Sequence, residues 1–340
     1  MTLMMVGNFL SMQLQTRGVC EDLAVRLTER GWRVLTVSSH LNRVRRLTDI
    51  VRSLYLNRHH FDVAHVDVYS GRGFLSAEIA CRILRTLRKP YVLTLHGGNL
   101  PNFASRHPDR VRRLLQSADA VIVPSRYLLQ MLCSFRDELE VIENPIDVSH
   151  YPFKLRERVE PRLVWLRAFN AIYNPSMAPR VVALLQHEFP DTRLVMAGPD
   201  KGDGSLDEAM AVASRLDLSP MVKFAGAINK AEVPAYLRQG DVFLNTTRID
   251  NTPVSVLEAM ACGMPVVSTS VGGIPYLLEH EKTALLVPDG DVAGMASAVK
   301  RILTDSALAR RLSSCAYDQV QSFDWQHVLP KWEALFNRLG

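Results

Sequence analysis

Residues 246–273 read TTRIDNTPVSVLEAMACGMPVVSTSVGG, and the order of chemistry within them predicts a loop, a helix and a strand in succession. The apolar run 242–245 just before them has the length and composition of a strand buried on both faces. A polar loop follows, and Thr252-Pro253 offers an N-cap and an N1 proline for a helix. That helix is apolar on nearly every side, through Val254, Val256, Leu257, Ala259, Met260 and Ala261, so it has to be buried. Glu258 is the lone carboxylate inside it. A buried carboxylate must be paired or hydrogen-bonded, and two readings stand. Glu258 either pairs with a neighbouring Arg or backbone group, or accepts hydrogen bonds from a vicinal diol such as a ribose. The free N–H groups at the start of the same helix, with its positive dipole end, suit a diphosphate.

Outward from this segment, short apolar runs alternate with amphipathic helical stretches in both directions, the pattern of parallel α/β layers. In the first half the strand candidates are 3–6, 34–38, 63–66, 91–95, 120–123 and 140–142. The charged stretch 151–161, YPFKLRERVEP, carries two prolines and reads as a linker. Strand candidates resume at 163–166, 194–197, 222–225, 242–245, 265–268 and 284–287, and the tail 307–339 is largely helical. The chain of 340 residues is long enough for two domains. The expected division is 1–155, 156–316, and a terminal helix in 317–340 crossing back to the first domain. The expected fold class is α/β, with two Rossmann-like doubly wound parallel sheets whose strand C-terminal ends face a central cleft.

Hydrophobic residues make up 47% and charged residues 22% of the chain, a globular composition. No stretch approaches the roughly 18–20 apolar residues of a membrane span. The opening MTLMMVGNFL reads as a strand rather than a leader, so a cytoplasmic protein is expected. Five scattered cysteines without a CxxC pair argue against a disulfide framework or structural zinc. Charge is uneven: residues 1–155 hold 21 basic against 14 acidic residues, the remainder 19 against 21. Arg43, Arg45, Arg46, Arg52 and Arg58 cluster, as do Arg82, Arg85, Arg88 and Lys89. Such clusters are either solvated helix faces or an attraction to an anionic partner, such as the inner membrane surface or a lipid-diphosphate acceptor. No nucleic-acid motif accompanies them.

With these residues in view, the chain resembles the family-4 retaining glycosyltransferases of the GT-B fold. The family carries two carboxylates eight positions apart, an Ala-Met-Ala-x-Gly-x-Pro-Val-Val run and a Gly-Gly turn; here these are Asp250 and Glu258, AMACGMPVV and Gly272-Gly273. The resemblance extends to GNFL…TRGVCEDLAVRLTERGWRV near the start, TLHGG at 94–98, ADAVIVPS at 118–125, VIENPID at 141–147 and AGPD at 197–200.

The resemblance implies roles position by position. Glu258 would bind the donor ribose, and Asp250 would stand near the sugar hydroxyls. Asn251, Thr252 and Pro253 would surround sugar and phosphate, and Arg167 would neutralise the departing diphosphate. His96, before Gly97, would approach the sugar from the first domain; as a strand-end histidine it could equally be a satisfied structural residue. Gly7 and Asn8 would face phosphate or acceptor, and Gly226, Ala227 and Ile228 would flank the base. Arg167, Asp250 and His96 are thus the candidate catalytic residues. Three departures stand out: Asp250 replaces the usual Glu, Ile172 and Tyr173 occupy the place of a usual Lys, and Tyr276 stands where Glu is frequent. Arg248 or Lys201 could supply the missing charge.

Two further motifs compete. GRGFLS at 71–76 resembles the start of a dinucleotide fingerprint but lacks its third glycine and a following acid. Asp289-Gly290-Asp291 imitates a metal-binding Asp-x-Asp yet sits where a turn and a helix N-cap are expected. No metal and no cofactor are therefore expected, only a UDP- or GDP-linked sugar as substrate and a glycan or lipid-linked acceptor. The alternatives are a nucleotide-sugar-binding scaffold without activity and a nucleotide-sugar epimerase.

Overall fold

The computed structural model describes residues 1–10 and 18–340. The chain divides into two compact units, one of residues 1–145 with 325–340 and one of 146–324.

In the first unit the strands are β1 (Thr2–Val6), β2 (Arg33–Val37), β3 (Val63–Val68), β4 (Tyr91–Leu95), β5 (Ala120–Val123) and β6 (Glu140–Val141). They are joined by helices α1 (Val19–Glu29), α2 (Arg43–Leu56), α3 (Arg72–Thr86), α4 (Leu100–Arg106), α5 (Pro108–Gln116) and α6 (Arg126–Leu132). The sheet is parallel with order β2-β1-β3-β4-β5-β6. All six residues of β3 and all five of β4 are buried. Helices on both faces are the reason those strands are mostly apolar, with only His65, Asp67 and Thr94 as polar exceptions.

The second unit contains β7 (Arg162–Leu166), β8 (Arg193–Ala197), β9 (Val222–Gly226), β10 (Val242–Asn245), β11 (Val266–Thr269) and β12 (Leu285–Val287). Its helices are α7 (Met177–Leu185), α8 (Ser205–Arg215), α9 (Val233–Leu237), α10 (Val254–Ala261), α11 (Ile274–Leu277), α12 (Val292–Thr304) and α13 (Ser306–Val320). The strand order β12-β11-β10-β7-β8-β9 is the Rossmann order read from the other edge. The order reverses between the neighbours β7 and β10, and ligands of such sheets bind beyond the strand C-termini at that reversal.

The last helix, α14 (Trp325–Leu339), belongs to the first unit. Trp325, Val328, Trp332 and Phe336 pack with Leu3, Leu27 and Val63. Each such buried side chain contributes about 1.5–3 kcal/mol relative to exposure. Lys331 bonds Glu143 at 2.7 Å, and Arg338 pairs with Glu140.

The divisions expected at 155/156 and 316/317 both need correction. Ile146, Val148 and Tyr151 are buried in the core of the second unit. Within the presumed linker Arg156 is only 2% exposed, because its guanidinium donates to the carbonyls of Lys154 and Cys262, each at 2.6 Å. At the other end, α13 stays with the second unit and the chain changes unit after Asp324.

Both rival motifs find structural uses. GRGFLS opens α3, with Gly71 as N-cap in the left-handed region at φ 68° and Gly73 already helical, so no phosphate loop precedes the helix. Asp291 caps α12, its Oδ1 accepting from Gly294 N at 2.8 Å. Among the described residues no helix is long and apolar enough to cross a membrane.

Candidate active site

The second unit gathers most of the expected donor residues at its reversal point. Arg167 is the first residue after β7, and the loop carrying Asp250 leaves the adjacent β10. Arg167 Nη2 lies 2.5 Å from Asp250 Oδ2, and both side chains are largely buried. The guanidinium also sits over the Tyr173 ring, 4.0 Å from its centroid. A cation stacked on an aromatic face and held by a carboxylate has a fixed orientation. Its Nε is buried without a partner among the described residues. Tyr173 therefore occupies the place of the usual Lys with a contribution of another kind, packing Arg167 instead of adding a charge.

The loop between β10 and α10 is tied down residue by residue. Thr246 Oγ1 donates to Tyr173 O at 2.7 Å and accepts from Trp165 Nε1 at 2.9 Å. Thr247 Oγ1 donates to Ile249 O at 2.9 Å, and Asp250 Oδ1 accepts from Asn251 N at 2.8 Å. The Gly-Gly turn closes against the same loop, with Gly273 N donating to Asp250 O at 3.0 Å. A Cβ on Gly272 would come within 2.2 Å of Asp250 O, and one on Gly273 within 1.9 Å of Asn251 O. Only glycine permits that approach.

α10 is buried as expected, but its N-cap is Pro253, at φ −70° and ψ 116°, rather than Thr252, so the helix begins one residue later. In its first turn Ser255 Oγ is buried without a hydrogen-bond partner among the described residues. Asn251, Thr252 and Pro253 are buried beside this helix start.

Glu258, 6% exposed, answers the question that its sequence left open. Its Oε1 accepts from the Tyr151 hydroxyl at 2.7 Å. Burial pushes its carboxyl up to about 7, while the Tyr151 hydrogen bond and the charges of Lys230 and Arg167 pull the other way. Burial, then the Glu258 charge, raises the Tyr151 hydroxyl far above its ordinary value, so it stays a donor. Sequence reasoning missed both Tyr151 and Lys230. Tyr151 fell in the presumed linker, and Lys230 lies just beyond the base-side segment.

The other donor-side candidates are more peripheral. Gly226, at φ +72°, ends β9 and accepts from Gly198 N at 2.8 Å; Ala227 is exposed and Ile228 is partly buried against the core. Lys201 and Arg248 are exposed. Arg248 Nη2 donates to Asn174 Oδ1 at 3.4 Å, and among the described residues neither cation forms an ion pair with Asp250. Lys230 is a further cation near this site, its charge felt at Glu258.

The first unit has its own constellation at the ends of β1, β3 and β4. His96 Nε2 lies 2.8 Å from Asp67 Oδ1, and the ring stacks on Tyr69 with centroids 4.9 Å apart. His96 is thus a satisfied histidine, though its side chain keeps 12% exposure. Burial opposes ionisation of Asp67, but His96, His65 and Cys20 outweigh it and hold the carboxyl below its ordinary value. His65 Nε2 lies 2.7 Å from Thr94 Oγ1, and burial depresses its imidazole to about 4. Donor atoms of Cys20, His65 and Asp67 lie within 4.8 Å of one another. A Cβ on Gly7 would come within 2.7 Å of Asp67 Oδ2 and 2.8 Å of Cys20 Sγ, which explains the glycine. Asn8 Oδ1 accepts from Arg46 Nη1 at 2.8 Å, and Asn8 also hydrogen-bonds the Tyr69 hydroxyl. Gly97 is left-handed at φ +86° and partnered by open space. Asp67, missed in the sequence, lies one residue past the strand read at 63–66, in a β3 that extends to Val68.

Two parallel six-stranded α/β units, one with an arginine and a carboxylate joined at its reversal point, have the architecture of the GT-B class. The family model for group 1 glycosyltransferases matches residues 160–305, and that for glycosyltransferase family 4 matches 39–150. Over these residues the chain is similar to the glycosyltransferases that the two models describe. It is 26% identical over 278 residues to the glycogen synthase of Mycobacterium tuberculosis, an alignment covering 77% of this chain and 66% of that protein. The match thus spans a little under two thirds of the relative's length. Among solved structures, sucrose-phosphate synthase from Thermosynechococcus elongatus superposes with a TM-score of 0.85 at 19% identity, covering 99% of this chain and 98% of that one. HepE from Anabaena, solved in complex with UDP-glucose, gives 0.78 at 16% identity over the whole of both chains.

Proposed function

We propose that this chain transfers a sugar from a nucleoside diphosphate donor to a hydroxyl of a glycan or glycolipid, with retention at the anomeric carbon and without a metal ion. The observation that carries this reading is the Arg167–Asp250 pair at the strand reversal, next in the chain to a buried helix start. The ribose is assigned to Glu258, the diphosphate to Arg167 and the N–H groups opening α10, and the base to Gly226, Ala227 and Ile228. As the nucleoside diphosphate leaves, negative charge grows where Arg167 and the positive end of α10 are already fixed. They stabilise the transition state more than the ground state. These groups supply the charge that a metal would otherwise bring. Asp250 is occupied by Arg167 and Asn251 N–H, so a same-face attack assisted by the leaving phosphate suits the site better than a covalent intermediate.

A UDP-sugar is the favoured donor, in keeping with the UDP-glucose complex of HepE, and a GDP-sugar is the alternative. Phosphate or acceptor contacts are assigned to Gly7, Asn8 and Gly97 of the first unit, and His96 to the sugar that is transferred. Its α2 combines Arg45 and Arg52 with the exposed Val44, Tyr55 and Leu56, a composition suited to an anionic membrane surface. Incubation with a panel of UDP- and GDP-sugars, with and without acceptor, tests the reading. Transfer or slow donor hydrolysis supports it.

A second reading draws on Ile172 and Tyr173, which leave the site without the usual Lys: a scaffold that binds nucleotide sugar without turning it over. Binding with neither transfer nor hydrolysis would favour the scaffold.

A further inference from the structure

Tyr151 follows the short turn Val148–His150 and is held from both sides of the sequence. Its N–H donates to Val148 O at 3.0 Å, and Val148 N donates to Asp324 Oδ2 at 2.9 Å. Its ring is buried, and its hydroxyl ends 2.7 Å from Glu258 Oε1. A carboxylate offers about four acceptor sites when ionised. Tyr151 fills one from inside the core, and no other described residue hydrogen-bonds the carboxylate. The hydrogen bond matters most for the ionised acid, because the ionised carboxylate can only accept and the phenol O–H donates to it.

We propose that Tyr151 is a positioning residue for the donor site, whose hydroxyl aims Glu258 and favours its ionised form, so that binding of the donor's ribose diol is linked to loss of the proton Glu258 otherwise carries below neutrality. The inference rests on the assignment of the ribose to Glu258. The groups whose charge or hydrogen bond acts on this carboxylate are Tyr151, Lys230 and Arg167, all favouring ionisation against burial. Cys262, at the end of α10, also feels the Glu258 charge, but burial holds its thiol up at about 11, so it is neutral. With Glu258 near 7, a diol that prefers the ionised form binds fully above that value and progressively less below it.

The test uses UDP-glucose and GDP-mannose rather than free diphosphates, whose terminal phosphate itself titrates near about 6. Affinities of the wild type, Tyr151→Phe and Glu258→Gln are measured by calorimetry from about pH 5.5 to about pH 9. Wild-type affinity should fall about tenfold per pH unit below neutrality, with proton release seen as a heat that depends on the buffer's ionisation enthalpy. Tyr151→Phe should bind roughly five- to tenfold more weakly near pH 7 and regain wild-type affinity at the alkaline end. Glu258→Gln should show no pH dependence and no proton release. A Tyr151→Phe defect of equal size at every pH would make the tyrosine merely structural and overturn the proposal. So would pH-independent wild-type affinity, which needs no variant and leaves the donor site itself standing. Failure of the wild type to bind either nucleotide sugar at any pH would instead remove the donor site on which the proposal rests, and the proposal with it.

Discussion

Arg167 and Asp250, 83 positions apart in the chain, meet at 2.5 Å because β7 and β10 are neighbours in the sheet and each residue lies just past its strand. The contact is a product of strand order. It joins a stacked guanidinium to a carboxylate at the one place where a Rossmann sheet leaves room for a ligand.

Arg167→Ala should lower nucleotide-sugar turnover by about a hundredfold or more, the scale on which a fixed charge stabiliser acts. Arg167→Lys should recover only part of it, since an ammonium neither forks onto a carboxylate nor stacks as well on Tyr173. Steady-state rates, with circular dichroism to confirm folding, measure this. Wild-type rates in Arg167→Ala would remove the residue from the mechanism.

Gly272→Ala should destabilise the second unit by about 1–3 kcal/mol and weaken donor binding, because its φ of +54° and the nearby Asp250 carbonyl both resist a methyl group. Gly290→Ala, also left-handed at φ +72° but in open space, is the control and should cost less, on the order of 1 kcal/mol. Thermal denaturation with and without nucleotide separates the two. Equal losses in both variants would show that the packing of the Gly-Gly turn on the loop carries no weight.

The first unit should lose stability as pH falls from about 6.5 toward 4. His65 is buried and neutral, with its imidazole lowered to about 4, so the unfolded chain binds the extra proton across that window. Stability is then full above the unfolded value of about 6.5 and declines below it. Below about 4 the loss deepens as Asp67, held below its ordinary value when folded, is protonated. Melting followed at several pH values should show the decline in the wild type and a flatter profile in His65→Gln. An unchanged slope in that variant would place the acid sensitivity elsewhere.

If, as proposed, Arg167 and the α10 start meet the charge on the leaving group, chelation with EDTA should leave turnover unchanged. Loss of activity on chelation, restored by a divalent cation, would contradict the metal-free mechanism.

What the amino-acid sequence revealed and what it hid follow from how local each signal is. The strands, α10 and the Gly-Gly turn are written in short-range patterns, and the approach of Gly272 to Asp250 supplies the physical reason for that turn. Tyr151 and Arg156 lie in a stretch that is charged on paper, yet both are buried, because their partners Glu258 and Cys262 lie more than a hundred residues away. No local composition announces such contacts. Asp67 was hidden for the same reason: its partner His96 comes from the next strand, 29 positions on. The absence of the usual Lys at Ile172 or Tyr173 was legible, but the stacking of Arg167 on the Tyr173 ring was not.

The most direct measurement is a crystal structure with UDP or GDP bound. The account predicts the ribose hydroxyls on Glu258 and the diphosphate against Arg167 and the first turn of α10, with Ser255 Oγ acquiring a partner. A nucleotide bound elsewhere, with Glu258 still bonded to Tyr151 alone, would contradict it.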